Sequence, residues 1–204
     1  MSWNDYYKIL QNSPPRPFLI KTLQYCNDST TKDLIAIDLG SGTGRDSLHL
    51  LENGWRVIAV EQEPTGISLL KNSLTAETAE KLQIIQSSFE DIQSLPKTDL
   101  LYASLSLPFC SPAVFPKFWD VLKKSMKPHS VLAANFFGPD DDWVQDGKLC
   151  SHSEEEIHQL LEAYKILYWH EQNGPGKTAT GPDKNWHIFS VIAQNLKKDQ
   201  RLDT

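Results

Sequence analysis

Leu34-Ile35-Ala36-Ile37-Asp38-Leu39-Gly40-Ser41-Gly42-Thr43-Gly44-Arg45 is an apolar, β-branched run that stops at three alternating glycines. The run has the composition of a strand buried on both faces, as in a parallel sheet. Glycine at alternate positions permits positive φ and leaves no Cβ in the way, so a ligand can lie against backbone N–H groups. The residues that follow predict a helix, with Leu48 and Leu51 three apart and Asn53-Gly54 as its stop. Strand, glycine turn and helix N-terminus together make a nucleotide-binding corner at the carboxyl edge of a sheet.

The glycine spacing narrows the nucleotide. The dinucleotide fingerprint is G-x-G-x-x-G, whereas Gly40, Gly42 and Gly44 alternate and are followed by Arg45-Asp46. No G-x-x-x-x-G-K-[ST] occurs, which excludes a P-loop. Asp38 at the strand end would repel a pyrophosphate but suits a ligand carrying an ammonium and a sulfonium, as S-adenosylmethionine does. A second strand, 56–61, ends in Glu61 about 20 residues past the glycines, where the ribose hydroxyls of an adenosine need an acceptor. Gln62 follows at the same edge.

With these residues the chain resembles the class I S-adenosylmethionine-dependent methyltransferases, from about Asp33 to Phe137 and onward toward Asn195. The segment Asp38-Leu-Gly-Ser-Gly-Thr-Gly-Arg-Asp-Ser-Leu, with Asn53-Gly-Trp-Arg-Val after it, is most similar to the small tellurite-resistance-type methyltransferases. The resemblance implies a seven-stranded, mostly parallel Rossmann-like α/β sheet, with helices on both faces and a C-terminal hairpin strand antiparallel to the rest. It implies S-adenosylmethionine as cofactor, S-adenosylhomocysteine as product, and Gly40, Ser41 and Gly42 on the methionine and sugar side.

Composition sets the frame for the remainder. The 204 residues suit one domain, expected over 1–195, with 1–27 as an N-terminal cover and 196–204 as a charged tail. A net charge of −6 with no basic run argues against nucleic acid as a partner. Cys26, Cys110 and Cys150 are odd in number and widely spaced, which fits free thiols in a reducing compartment. No signal pattern and no apolar stretch of spanning length is present, so the expected setting is the cytoplasm, with no membrane partner. Oligomeric state leaves no trace in the sequence.

Taken in order, an aromatic segment, Ser2 to Leu10, is broken by prolines from a second apolar helix, Phe18 to Tyr25. In the resembled family such pieces cover the cofactor, which brings Tyr7 or Arg16 to the methionine end, Arg16 on its carboxylate. The alternative makes the aromatics core and Arg16 a solvated turn residue. A helix opened by Pro64 leads to a third strand, 82–87, and to Ser88-Phe89-Glu90-Asp91, the adenine loop by resemblance. There Phe89 supplies a backbone N–H, while Ser88 stands where a carboxylate is usual and leaves Glu90 or Asp91 for the amine.

A fourth strand, 99–104, brings Ser104 near the transferable methyl, and Leu105 to Phe109 promise an apolar pocket floor rather than an amine-gripping Asn/Asp-Pro-Pro-aromatic motif. Cys110 reads as a buried thiol. Ser111-Pro112 predicts the start of a helix with Phe115, Phe118, Trp119, Leu122 and Met126 on one stripe, before a fifth strand, 130–137. Asp140-Asp141-Asp142-Trp143 reads as a mobile, solvated loop, since no ligand spacing for a metal surrounds it. Ser153 to Glu156 predicts a capping box, and two strands joined by a loop, Asn173 to Lys184, close the fold.

The expected reaction is in-line methyl transfer to a small-molecule acceptor enclosed by Tyr7, Leu105, Phe109, Trp143 and Trp186, with His187 nominated as base. The rival readings are a non-catalytic cofactor-binding module and a nicotinamide oxidoreductase, the latter requiring its third glycine one residue later.

Overall fold

The computed structural model describes residues 3–10, 13–26, 33–179 and 181–197, with the backbone alone at 3–5 and 8. The ends of the expected cover, Met1, Ser2 and Asn27, and the tail beyond Lys197 lie outside the described residues. Seven strands are present: β1 (Ile35–Leu39), β2 (Arg56–Glu61), β3 (Leu82–Gln86), β4 (Thr98–Ala103), β5 (Met126–Phe137), β6 (Tyr164–Lys177) and β7 (Asp183–Asn195). They form one sheet in the order β3-β2-β1-β4-β5-β7-β6. The first five run parallel, and β7 is antiparallel to both its neighbours. The chain steps outward from β1 to β3 and then returns to β4 on the other side of β1. A crevice therefore opens at the carboxyl ends of β1 and β4.

Both faces of the sheet are covered, as the uninterrupted apolar β1 requires. Ile37 and Leu39 point into a layer with Phe118, Trp119 and Leu122 of α6 (Phe115–Ser125) and Ile157 of α7 (Glu154–Leu160). Ala36, next to Ile37 in sequence, points into the opposite layer with Leu19 of α2 (Pro17–Leu23), Leu50 and Leu51 of α3 (Arg45–Glu52) and Leu70 of α4 (Pro64–Asn72). That alternation is the period of two expected of a strand. The aromatic N-terminal segment forms α1 (Trp3–Leu10), which packs on α4.

Four local expectations differ from what is observed. A short α5 (Ala76–Glu80), capped by a reciprocal Thr75–Thr78 box, lies between α4 and β3. Helix α6 begins at Phe115, not after Ser111. The Ser111 carbonyl takes the N–H groups of Val114 and Phe115 in a preceding turn, and the regular ladder starts where Pro116, which has no N–H to give, falls in the first turn. Strand β5 begins at Met126 rather than Ser130, because a register shift opposite Thr98 absorbs Pro128 and the left-handed His129.

The expected loop, Asn173 to Lys184, is mostly strand. Pairing continues from Asn173↔His187 to Lys177↔Asp183, leaving a turn that starts at Thr178. Gly174, Pro175 and Gly176 are tolerated there because β6 is the sheet edge, where a missing donor breaks no ladder.

Candidate active site

Gly40, Gly42 and Gly44 take φ values of +69°, +58° and +82°, so the chain leaves β1 through a left-handed turn that residues with a Cβ avoid. The N–H groups of Gly40 and Ser41 donate to the Val60 carbonyl at 2.9 and 3.0 Å, which ties the turn to β2. A Cβ built on Gly40 would meet the Cβ of Ser106 at 2.6 Å, so turn and post-β4 segment are in contact.

Glu61, at the end of β2, is buried and bound by four donors. Its Oε2 accepts from Gly42 N–H at 2.7 Å, and its Oε1 accepts from the N–H groups of Gln62 and Glu63 at 2.9 Å and from the Tyr7 hydroxyl at 3.2 Å. Burial, then the Glu61 charge, pushes the Tyr7 phenol well above its ordinary range, so Tyr7 remains a donor. The N-terminal helix is thereby pinned over the glycine turn.

A polar layer stands behind the turn. Asp46 accepts from Arg16 twice, N–H at 2.8 Å and Nη1 at 2.6 Å, and from the Tyr102 hydroxyl at 3.3 Å. Burial alone would lower the Arg16 pKa, but the adjacent Asp46 charge holds it above the usual arginine range. Asp38 accepts the Ser47 hydroxyl at 2.6 Å. Burial, then the Asp46 charge, pushes its carboxyl up to about 7, against the pull of Ser47.

Beyond β4, the Asn135 carbonyl oxygen accepts from the Ser104 hydroxyl and from Leu105 N–H, both at 3.1 Å, while its amide donates to Ser190 at 2.8 Å. This clamp holds Leu105 at φ +54°, a costly conformation for a residue with a bulky side chain.

These pieces surround a cavity that is partly open to solvent. Its walls include the expected Tyr7, Arg16, Gly40, Ser41, Gly42, Glu61, Gln62, Ser88, Phe89, Glu90, Ser104, Leu105 and Phe109. Phe89 stacks on Phe118 with ring centres 5.0 Å apart, which fixes the wall of the adenine loop. Of the two acids left open for the amine, Glu90 lines the cavity, whereas Asp91 is away from it and accepts the Ser88 hydroxyl at 2.8 Å.

Four expected residues are not in the cavity wall. Asp38 is 3% exposed and sits behind the turn, bonded to Ser47. His187 is 5% exposed with both ring nitrogens engaged: Nδ1 accepts Asp140 N–H at 3.2 Å, and Nε2 lies 3.0 Å from Glu171 Oε1. It has no free nitrogen to take an acceptor's proton. Trp143 and Trp186 pack around Lys184, one layer behind Phe109.

Sequence reading missed Arg45 and Ser106, both in the wall. Arg45 is the first residue of α3 after the glycine turn, a position from which helix geometry alone would have nominated it. Among the described residues it makes no ion pair, and burial, then repulsion from Arg16, lowers its pKa. The side-chain atoms Ser41 Oγ, Arg45 Nε and Ser106 Oγ are buried without hydrogen-bond partners, all on this cavity. Buried polar atoms are ordinarily satisfied, so three orphans around one cavity point to a ligand with donors and acceptors of its own.

The comparisons with known proteins bear on which ligand. Residues 36–129 match a family described as "Methyltransferase domain". The fold is similar to that of TehB from Haemophilus influenzae, with a TM-score of 0.74 and 15% identity over 95% of this chain and 67% of that one. The N-methyltransferase NodS from Bradyrhizobium japonicum, in complex with S-adenosylhomocysteine, gives 0.66 at 14% identity, covering 96% of this chain and 98% of that one. The 1,6-didemethyltoxoflavin-N1-methyltransferase of Burkholderia thailandensis, with that compound and S-adenosylhomocysteine bound, gives 0.66 at 14% identity, covering 96% and 84%. A curated relative, a dimethyladenosine transferase of Chaetomium thermophilum, is 28% identical over 82 residues. That match spans 40% of this chain and 21% of the relative, so the chain matches about a fifth of that protein's length.

Residues 36–129 match a methyltransferase domain, and the whole fold is similar to structures of the S-adenosylmethionine-dependent methyltransferase class. Within that class the tellurite-resistance type, expected from the glycine segment, is represented among its structural neighbours by TehB.

Proposed function

We propose that the chain transfers a methyl group from S-adenosylmethionine to a small-molecule acceptor in the cavity above the glycine turn, as one domain over 1–195 with 1–27 as its cover. The observation that carries this reading is the coincidence of the three orphaned polar atoms with the glycine turn and Glu61. Bound there, the cofactor supplies an electrophilic methyl on a sulfonium. Glu61 is placed to exchange one of its internal donors for the ribose hydroxyls. Arg45, with Arg16 beside it but engaged by Asp46, offers charge to the amino-acid carboxylate. Phe89 and Glu90 form the adenine side, and Ser104 stands where the methyl would lie.

Tyr7, Leu105 and Phe109 close the opposite side as a largely apolar wall, and no described side chain there has the geometry of a general base. The residues therefore act by alignment and water exclusion, a contribution worth about 7–11 kcal/mol when two reactants are well oriented. This suits an acceptor that is already nucleophilic at neutral pH. The net charge of −6 and the apolar segment after β4 support a small molecule over nucleic acid. Two of the neighbouring folds belong to proteins named as N-methyltransferases, one of them with 1,6-didemethyltoxoflavin bound.

No helix among the described residues is long and apolar enough to cross a membrane. We place the protein in the cytoplasm on its unpaired thiols.

The test is calorimetry with S-adenosylhomocysteine and NAD on the wild type and on Glu61→Ala. We expect binding of the first ligand alone, weakened in the variant by about 1.5–3 kcal/mol, the range for a hydrogen bond to a charged group. Comparable affinity for NAD, or an indifferent Glu61→Ala, would falsify the reading.

A further inference from the structure

The acidic loop after β5, expected to be solvated, is stapled to the C-terminal hairpin by a caged lysine. The Asp141 carboxylate is fully buried and accepts the N–H groups of Trp143 and His187, each at 3.0 Å, together with the ammonium of Lys184. The Lys184 side chain is 4% exposed, and its Nζ lies 3.8, 4.0 and 5.1 Å from the ring centres of Trp186, Trp143 and Phe137. A desolvated ammonium against indole faces gains both from the carboxylate and from the rings. Neighbouring bonds run the same way. Asn185 donates its N–H to Asp142 at 2.7 Å and its amide to the Asp140 carbonyl at 2.9 Å, and Asn173 donates to the Asp140 carboxylate at 2.8 Å.

The staple reaches the cavity. Phe109 has its ring centre 6.3 Å from both Phe137 and Trp143. Leu105 packs against the cluster of Phe137, Val144 and Ile188, which stands apart from the two main core layers. Such a satellite cluster does little for the central sheet, and what it does support is the apolar wall.

We propose that Lys184 is a positioning residue: caged by Phe137, Trp143 and Trp186 and paired with Asp141, it fixes Phe109 and Leu105 as the acceptor wall. The acceptor role of that wall rests on the methyl-transfer reading above; the mechanical coupling does not. Lys184 touches neither cofactor nor acceptor in this scheme and acts through the rings. Arginine would keep both the pairing and the stacking, and methionine would keep only the volume.

The experiment compares Lys184→Met, Lys184→Arg and the double variant Lys184→Met/Asp141→Asn, which leaves no unpaired buried charge. Amide hydrogen exchange is followed by mass spectrometry on the full chain, and S-adenosylhomocysteine affinity by calorimetry. Expected in both methionine variants is exchange faster by about tenfold or more at 105–110 and at 138–144, with β1 and β2 unchanged and the affinity within about twofold of wild type. Lys184→Arg should restore slow exchange at both segments. Loosening confined to 138–144, or an arginine variant as loose as the methionine ones, would overturn the proposal. So would global unfolding of both methionine variants, which would make Lys184 a general scaffold residue. Failure of the wild type to bind S-adenosylhomocysteine would instead remove the cofactor reading and leave the coupling to be judged by exchange alone.

Discussion

Asp38→Asn should make the protein more stable relative to wild type as pH rises, by an amount that the burial of Asp38 sets. The carboxyl is enclosed behind the glycine turn with the Asp46 charge nearby, and its pKa stands at about 7 in place of 3.8. The folded state therefore holds this proton more tightly than the unfolded chain does. The associated stabilisation is full below about pH 4 and is lost progressively up to about pH 7, flattening above that. At 1.36 kcal/mol per pKa unit, a rise of about three units amounts to about 4 kcal/mol. Asparagine does not titrate, and its carbonyl oxygen can still accept the Ser47 hydroxyl that now donates at 2.6 Å. Titrating groups that do not interact with Asp38 are common to both proteins and cancel in the difference. Urea unfolding of wild type and variant at half-unit steps from pH 4.5 to 8 reads that difference directly. Asp38→Asn should gain steadily up to about pH 7 and then level off. A difference that stays flat within about 1 kcal/mol, or that moves toward the wild type, would mean that Asp38 is ionised and paired in the native state.

Two further outcomes follow from the same geometry. Gly40→Ala places a Cβ in a left-handed turn, against Ser106 at 2.6 Å, and should cost about 1–2 kcal/mol for the backbone alone, read as a lowered Tm, together with lost S-adenosylhomocysteine affinity. A variant as stable and as tight as wild type would refute the close turn. His187→Ala should lower Tm, because Glu171 and the Asp140 N–H lose their partner, and should leave the pH profile of methyl transfer unshifted. A shifted profile would restore His187 as the base.

Near neighbours along the chain were readable because their physics is local. The alternation through Ala36, Ile37 and Leu39, the glycine turn, the carboxylate ending β2 and the Ser153 cap each depend on a few consecutive residues, and all stand where the pattern put them. The turn's spacing also set the expected cofactor apart from a dinucleotide, and the match of residues 36–129 to a methyltransferase domain agrees with that expectation. Residues whose role depends on what faces them were not readable in this way. Asp38 and Arg45 flank the same turn, yet one is enclosed by α3 and the other faces the cavity, a difference made by the direction of each side chain once α3 packs on β1. His187, Trp143 and Trp186 were assigned to the acceptor because they emerge at the correct sheet edge. They instead close on Lys184 and Asp141, since a buried charge must find its counter-charge and that partner lies more than 40 residues away. Likewise Gly174, Pro175 and Gly176 look like a loop by composition and are strand because β6 is the sheet edge, a fact of topology that no local window contains.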